Sequence, residues 1–179
     1  MRTRVQNPEV LYADETLIQV TRGDVQALKG LAAQNERRRV RLCTHASPDD
    51  PVHEMLIVHT PETYVRPHKH LNRVESFHVI EGEGEVLIFD DAGEMTEVIA
   101  LGDYLSGRPF YYRLSRPSYH SLLISSPVLV FQEVTSGPFR PADTQFAPWS
   151  PENADRAGQL IYMQSLRERV RSAARGRPS

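Results

Sequence analysis

Hydrophobic and polar residues alternate with a period of two through most of the central part of the chain. A series of short segments from Val40 to Val134 shows this pattern, and turn-forming residues such as Asp91–Gly93 separate them. Alternation of this kind is typical of strands with one buried face. The predicted strands cover 40–45, 53–60, 63–70, 75–80, 84–90, 95–101, 110–114, 119–125 and 128–134.

In two segments, apolar residues recur at helical spacing instead. Thr21 and Asp24 have the spacing of a capping box, and apolar residues follow them at helical intervals. This pattern predicts a short helix over 24–36. Residues 152–173 also place apolar side chains on one helical face, so we predict a second helix there.

Many short strands at regular spacing predict a sandwich or closed barrel rather than a fold of alternating strands and helices. We expect one structural domain with three parts. An arm of one strand and one helix covers 1–37, and an all-β barrel covers 38–137. A strap rich in proline and aromatic residues, followed by a helix, covers 138–179.

Composition excludes several classes of function. The chain has 179 residues, 40% of them hydrophobic and 25% charged, as in an ordinary globular domain. Its net charge of −2 gives no reason to expect nucleic acid as a partner. No apolar run approaches the roughly 20 residues that cross a bilayer, so we expect no membrane association. The N-terminal residues lack the apolar segment of a secretory signal.

Cys43 is the single cysteine of the chain. An intrachain disulfide is therefore excluded, which fits a reducing compartment. We expect a cytoplasmic protein.

The segment from His68 to Gly82 contains the residues with the clearest chemistry. His68 and His70 lie two positions apart on a predicted strand, so their side chains share a face. Glu75 follows after four residues, at the start of the next predicted strand. Two imidazoles and a carboxylate in this arrangement can bind one metal ion, and His120 lies within a later predicted strand. The alternative is a pair of surface histidines beside a loop.

The spacing H-x-H-x4-E-x6-G is similar to the first cupin motif, and the region from Gly102 to His120 partly matches the second. Two positions depart from these motifs: Glu62 replaces the first glycine, and Ile124 replaces the final asparagine. The resemblance implies a cupin double-stranded β-helix, a jelly-roll barrel. It also implies that His68, His70, Glu75 and His120 are the metal ligands.

Longer segments between Arg39 and Glu152 resemble the WbuC-type cupin fold metalloproteins. They include ESFHVIEGEG, PxYHxLLI and DTxFAPWxPE. That family is associated with bacterial surface-polysaccharide (O-antigen) gene clusters. The resemblance implies a fold and a bound metal but no particular reaction. Cupins as a class also suggest a homodimer.

Three His and one Glu suit one divalent transition metal, which is Fe, Mn, Ni, Co or Zn. Tyr64 and Arg66 alternate with His68 and His70, so a regular strand would turn both toward the interior. An interior arginine indicates either an anionic ligand or a carboxylate of the chain itself. Pro67 also has the capacity to disturb the alternation.

Aromatic and basic residues precede the His120 strand, and among them Tyr112 is a candidate catalytic residue with Tyr64 and Arg66. Tyrosines suit hydrogen bonding to a sugar, but they are equally common in a jelly-roll core. The expected ligand is a small anionic or sugar-like molecule.

Three functions fit this sequence. The first is a metal-dependent enzyme, similar to an isomerase or epimerase, that acts on a sugar or sugar-derived metabolite of surface polysaccharide synthesis. The second is an Fe(II)-dependent oxygenase of a small molecule. The third is a cupin without catalytic activity that binds a metal and a small molecule.

Overall fold

The computed structural model describes residues 1–175 of the chain. The last four residues of the predicted strap and helix, 176–179, lie outside the described residues. The strands are β1 (Thr3–Asn7), β2 (Val10–Ala13), β3 (Arg39–Cys43), β4 (Val52–His59), β5 (His68–His70), β6 (Glu75–Glu81), β7 (Glu83–Phe89), β8 (Met95–Gly102), β9 (Tyr111–Leu114), β10 (Tyr119–Ile124), β11 (Leu129–Ser136) and β12 (Thr144–Phe146), and the α-helices are α1 (Arg22–Gln34) and α2 (Arg156–Arg175).

The strands form two sheets. The first has seven strands in the order β1-β2-β3-β4-β11-β6-β9, and the second has five in the order β12-β5-β10-β7-β8. All pairs are antiparallel except β2 with β3. Within residues 1–175 no ladder joins the two sheets into one closed barrel. The predicted all-β fold with two helices is confirmed.

The main core lies between the two sheets and consists of the inward side chains that the period-two pattern predicts. In β6, for example, Glu75, Phe77 and Val79 are buried while His78 and Ile80 are exposed. Phe131 of β11 is 1% exposed and contacts the Phe77 ring at a centroid distance of 4.8 Å. Alternation along each strand thus decides which side chains face the interior.

Helix α1 covers the outer face of the seven-stranded sheet. Its first turn has the predicted capping box, in which Thr21 Oγ1 accepts from the Asp24 backbone and Asp24 Oδ2 accepts from the Thr21 backbone. Leu28 and Ala32 of the helix pack against outward residues of the sheet, including Leu42. This is a second apolar cluster, separated from the main core by the sheet.

Helix α2 and the segment before it cover the outer face of the five-stranded sheet. Leu166 of the helix packs against Leu87 and Phe89, and the Trp149 ring lies 5.2 Å from the Phe89 ring. The segment also adds β12 to the edge of the sheet beside β5. Strand β10 is consequently buried on both faces. Within residues 1–175, no helix has the length and apolar character needed to cross a bilayer.

The predicted strand 63–70 is wrong over most of its length, because the extended ladder begins only at His68. Pro67 has no N–H to donate to a ladder. Upstream, Thr63 closes a turn by donating from its backbone to Thr60 and from its hydroxyl to Arg38. Residues 61–67 therefore follow an irregular path.

Replacing Leu42 by alanine tests the cluster under α1, since this side chain is 0% exposed. The cavity left in a packed core should lower the free energy of unfolding by about 2–5 kcal/mol. Leu17, which is 75% exposed, provides a control of the same residue type. Urea denaturation of the two alanine variants measures the difference. Equal stability of the two variants would contradict the packing described.

Candidate metal centre

Three histidines from two neighbouring strands converge at one point of the five-stranded sheet. His120 of β10 lies directly opposite His68 of β5 in the ladder, and His70 follows two positions further on the same face. The ring centroids of His68 and His120 are 4.4 Å apart. Their potential ligand nitrogens and that of His70 all lie within 4.8 Å of one another. A group with this spacing can bind a single metal ion.

In His68 and His120, which face each other across the ladder, the ring nitrogen Nδ1 already contacts a backbone carbonyl oxygen. His68 Nδ1 lies 2.8 Å from the Arg66 carbonyl oxygen, and His120 Nδ1 lies 2.9 Å from the Ser118 carbonyl oxygen. A carbonyl only accepts, so in both rings Nδ1 donates and the lone pair is on Nε2. This is the tautomer and orientation that metal-binding histidines usually have.

The carboxylate of Glu75 faces the Nε2 atoms of His70 and His120. Its Oε2 lies 3.3 Å from His70 Nε2, and its Oε1 lies 3.0 Å from His120 Nε2. On the far side of the His70 ring, Nδ1 is 3.3 Å from the Thr144 hydroxyl. The structure therefore brings together all four residues that the sequence predicts as ligands.

Two buried polar atoms at this point make no hydrogen bond. They are Glu75 Oε1 and His120 Nε2, whose 3.0 Å approach lacks hydrogen-bond geometry. Glu75 is only 3% exposed, and a buried carboxylate without a good partner is costly. A divalent cation would satisfy both atoms at once. The residues present thus fit the metal that the cupin motif implies.

Burial and mutual charges shift the pKa values of His68, Glu75 and His120. Burial lowers the pKa of His68 to about 3, with the charge of His120 adding to the effect, so this imidazole is neutral and able to bind a metal. Burial alone would raise the pKa of Glu75, but the charge of His120 and the close approach of the His120 and His70 rings hold it well below its usual value. The same carboxylate raises the pKa of His120 against the effect of burial. The group thus contains one persistent negative charge surrounded by imidazoles.

A cavity of about 600 Å³ lies beside this group, on the inner face of the seven-stranded sheet. His68 and His70 form part of its wall, so the histidine group is accessible to a ligand of moderate size. Other polar side chains line the same cavity, including Arg41, Arg73 and Glu133.

Tyr64 and Arg66 do not line this cavity; both turn toward the strap. The Tyr64 hydroxyl donates to the Pro151 carbonyl oxygen at 2.9 Å. Arg66 Nε donates to the Ser150 hydroxyl at 3.2 Å, and its guanidinium lies 5.0 Å from the centre of the Phe146 ring. The expected inward orientation was wrong because alternation holds only in a regular strand, and residues 61–67 are irregular.

Tyr112 lies on the inner face of β9, opposite Phe77 in the ladder and next to the pair formed by Glu75 and Leu114. Its hydroxyl is buried and has no hydrogen-bond partner. Burial raises the pKa of Tyr112, and the charge of Glu75 adds to the shift. Tyr112 is thus within electrostatic range of Glu75, but like Tyr64 and Arg66 it is not among the side chains that line the cavity.

Sequence reasoning missed Glu133, which projects into the cavity from β11. It shares its parity with Leu129 and Phe131, both buried in the main core. The signal in the sequence is a carboxylate at a strand position where alternation predicts an inward-facing apolar residue. Burial raises the pKa of Glu133 to about 7, and the charge of Glu75 adds to the shift.

Comparison with known proteins supports the fold. A family model described as a domain of unknown function (DUF6016) matches residues 20–101. No curated protein matches the sequence. Among solved structures, protein SO0799 from Shewanella oneidensis aligns with a TM-score of 0.51 at 12% identity, over 63% of this chain and 76% of that one.

Two further structures are of proteins whose names state an activity. L-ribose isomerase from Cellulomonas parahominis, solved with L-ribose, aligns with a TM-score of 0.50 at 20% identity, over 66% of this chain and 72% of that one. The capsular polysaccharide assembling protein CapF from Staphylococcus aureus aligns with a TM-score of 0.50 at 17% identity, over 63% of this chain and 32% of that one. At these identities the likeness is one of fold. The fold is the cupin double-stranded β-helix, as predicted.

Removing one of the strand-paired histidines should remove most of the metal. We expect purified protein to contain close to one transition metal per chain, and His68→Ala or His120→Ala to lose most of it because two or three remaining ligands bind weakly. His78→Ala is the matched control, since this exposed histidine lies on the opposite face of β6 from Glu75. Elemental analysis of the native protein and the three variants measures the difference. Equal metal content in all of them would rule out this site.

Proposed function

We propose that the protein is a metal-dependent enzyme that isomerises or epimerises a sugar or a sugar-derived metabolite. The observation that carries the proposal is the convergence of three histidine nitrogens beside a cavity of about 600 Å³, whose wall includes two of them, His68 and His70. A cavity of this volume holds a small molecule of the size of a sugar. With Glu75 as the fourth ligand, one or two positions on the metal remain for the substrate.

The biological setting that we propose is surface polysaccharide synthesis. The resemblance to WbuC-type proteins favours this setting. Two proteins of the same fold support it, since one is an isomerase of L-ribose and the other is a capsular polysaccharide assembling protein. A sugar-like ligand is the substrate class that these comparisons have in common.

The chain's own groups divide into those that hold the metal and those that handle a proton. His68, His70, Glu75 and His120 would hold the ion, which when bound polarises a carbonyl or hydroxyl oxygen. Tyr112 is the candidate proton carrier of the predicted set, because its buried hydroxyl has no hydrogen-bond partner among residues 1–175. Its raised pKa keeps the hydroxyl protonated near neutral pH, so it can donate to a substrate oxygen.

Exchange with deuterium oxide tests this function. Metal-loaded protein is incubated with a panel of aldoses and ketoses in deuterium oxide, and mass spectrometry follows deuterium on carbon together with the formation of isomers. We expect incorporation with at least one sugar. Tyr112→Phe should lower the rate by about 10²–10⁴ because the proton carrier is gone, while the metal content stays unchanged.

Two outcomes would contradict the proposal. Consumption of a ligand only with uptake of oxygen would identify an oxygenase. Binding of sugars without exchange or conversion would identify a binding protein. His78→Ala serves again as the control for a change outside the cavity.

A further inference from the structure

The cavity beside the metal centre has more positive than negative side chains on its wall. Within residues 1–175 the lining includes four arginines but only two carboxylates, Glu9 and Glu133. Glu9 is engaged by Arg39, with 2.8 Å between Oε2 and Nε. The described residues place no carboxylate within 4.0 Å of Arg41 or Arg73. Arginines therefore outnumber carboxylates among the side chains that line the cavity.

Arg73 is held in place at the edge of this cavity without using all its donors. It lies in the short connection between His70 and Glu75. One terminal nitrogen donates to the Arg140 carbonyl oxygen at 3.2 Å, and the guanidinium lies 4.8 Å from the centre of the Phe139 ring. Its Nε is buried and has no hydrogen-bond partner. A fixed guanidinium with an unused donor is suited to binding an oxyanion.

Arg41 lies on the inner face of β3, and its solvent-exposed side chain lines the cavity. Its ladder partners are Val10 of β2 and Ile57 of β4, both of which belong to the main core. The adjacent residues Val40 and Leu42 face α1 instead. Within residues 1–175 the Arg41 side chain makes no hydrogen bond or salt bridge, so its donors are free for a ligand.

The charges of Arg41 and Arg73 both affect the pKa of Glu133, a side chain that lines the same cavity. Burial raises the pKa of Glu133 to about 7, and the charges of Arg41 and Arg73 both oppose that rise. Both guanidinium groups are thus within electrostatic range of one carboxyl. That carboxyl has no hydrogen bond to the described residues, and Asp143 is a second carboxylate within electrostatic range of Arg73.

We infer that Arg41 and Arg73 form an anion-recognition site in the cavity, so that the ligand is a small molecule with a carboxylate or a phosphate group. This inference rests on the proposed function, because it places the anionic group of the substrate beside the predicted metal centre. It assigns to Arg41 and Arg73 the role that alternation along the sequence had suggested for Arg66. The substrate class narrows from sugars in general to acidic or phosphorylated sugars.

Calorimetric titration of metal-loaded protein tests the inference with four probes. D-glucuronate and D-glucose 6-phosphate carry the two anionic groups, D-glucose is their neutral counterpart, and inorganic phosphate is the anion alone. We expect at least one sugar anion to bind at least tenfold more tightly than D-glucose, by an order-of-magnitude estimate from charge-assisted hydrogen bonds. Whichever anion binds more tightly distinguishes a sugar acid from a phosphorylated sugar.

Variants separate the arginines from the metal as the source of anion binding. Arg73→Gln and Arg41→Gln should each weaken anion binding by about tenfold or more and leave D-glucose unaffected. Arg171→Gln is the matched control, since it removes the same charge from an exposed position on α2. Metal content is measured in every variant first.

The outcomes distinguish this inference from the proposed function. Absence of bound metal in the native protein contradicts the proposed function. Normal metal content with anion affinity unchanged in both arginine variants overturns the inference alone. Failure of every anion to bind at concentrations up to about 10 mM also overturns it.

Discussion

A carboxylate at almost complete burial is the constraint on which the rest of the site depends. Glu75 is 3% exposed at the start of β6, and its charge is tolerable there only beside cationic or hydrogen-bonding partners. The pairing of β5 with β10 provides these partners, because it places His70 and His120 against the two carboxylate oxygens. The 3.0 Å approach of Glu75 to His120 still leaves two atoms without a proper hydrogen bond. A metal ion resolves this remaining cost.

Both sheets contribute residues to the site. The five-stranded sheet holds the three histidines on β5 and β10, and β10 is buried on both faces by the core and by α2. The seven-stranded sheet contributes Glu75 and most of the cavity wall. Because a rigid element supports each ligand, the imidazoles are oriented before any metal binds. The carbonyl acceptors at His68 and His120 fix that orientation further.

Local spacing predicted those parts of the protein that depend on local geometry. The separation of His68, His70 and Glu75 follows from one strand and one short connection, so the sequence alone indicated that they would meet. Period-two alternation likewise located most strands. Strand β1 escaped detection because all five of its residues are exposed, which leaves no alternation to observe. Arg66 was misplaced because the irregular path of 61–67 depends on contacts with Arg38 and the strap, which lie far away in the sequence.

The central claim is that His68, His70, Glu75 and His120 bind one metal ion together. X-ray absorption spectroscopy of zinc-loaded protein tests it most directly, because the fine structure reports the number and type of ligands. We expect about three imidazole nitrogens at roughly 2.0–2.1 Å together with a carboxylate oxygen, and one imidazole fewer around the zinc that His120→Ala retains. A ligand shell of water oxygens, or one unchanged in that variant, would contradict it.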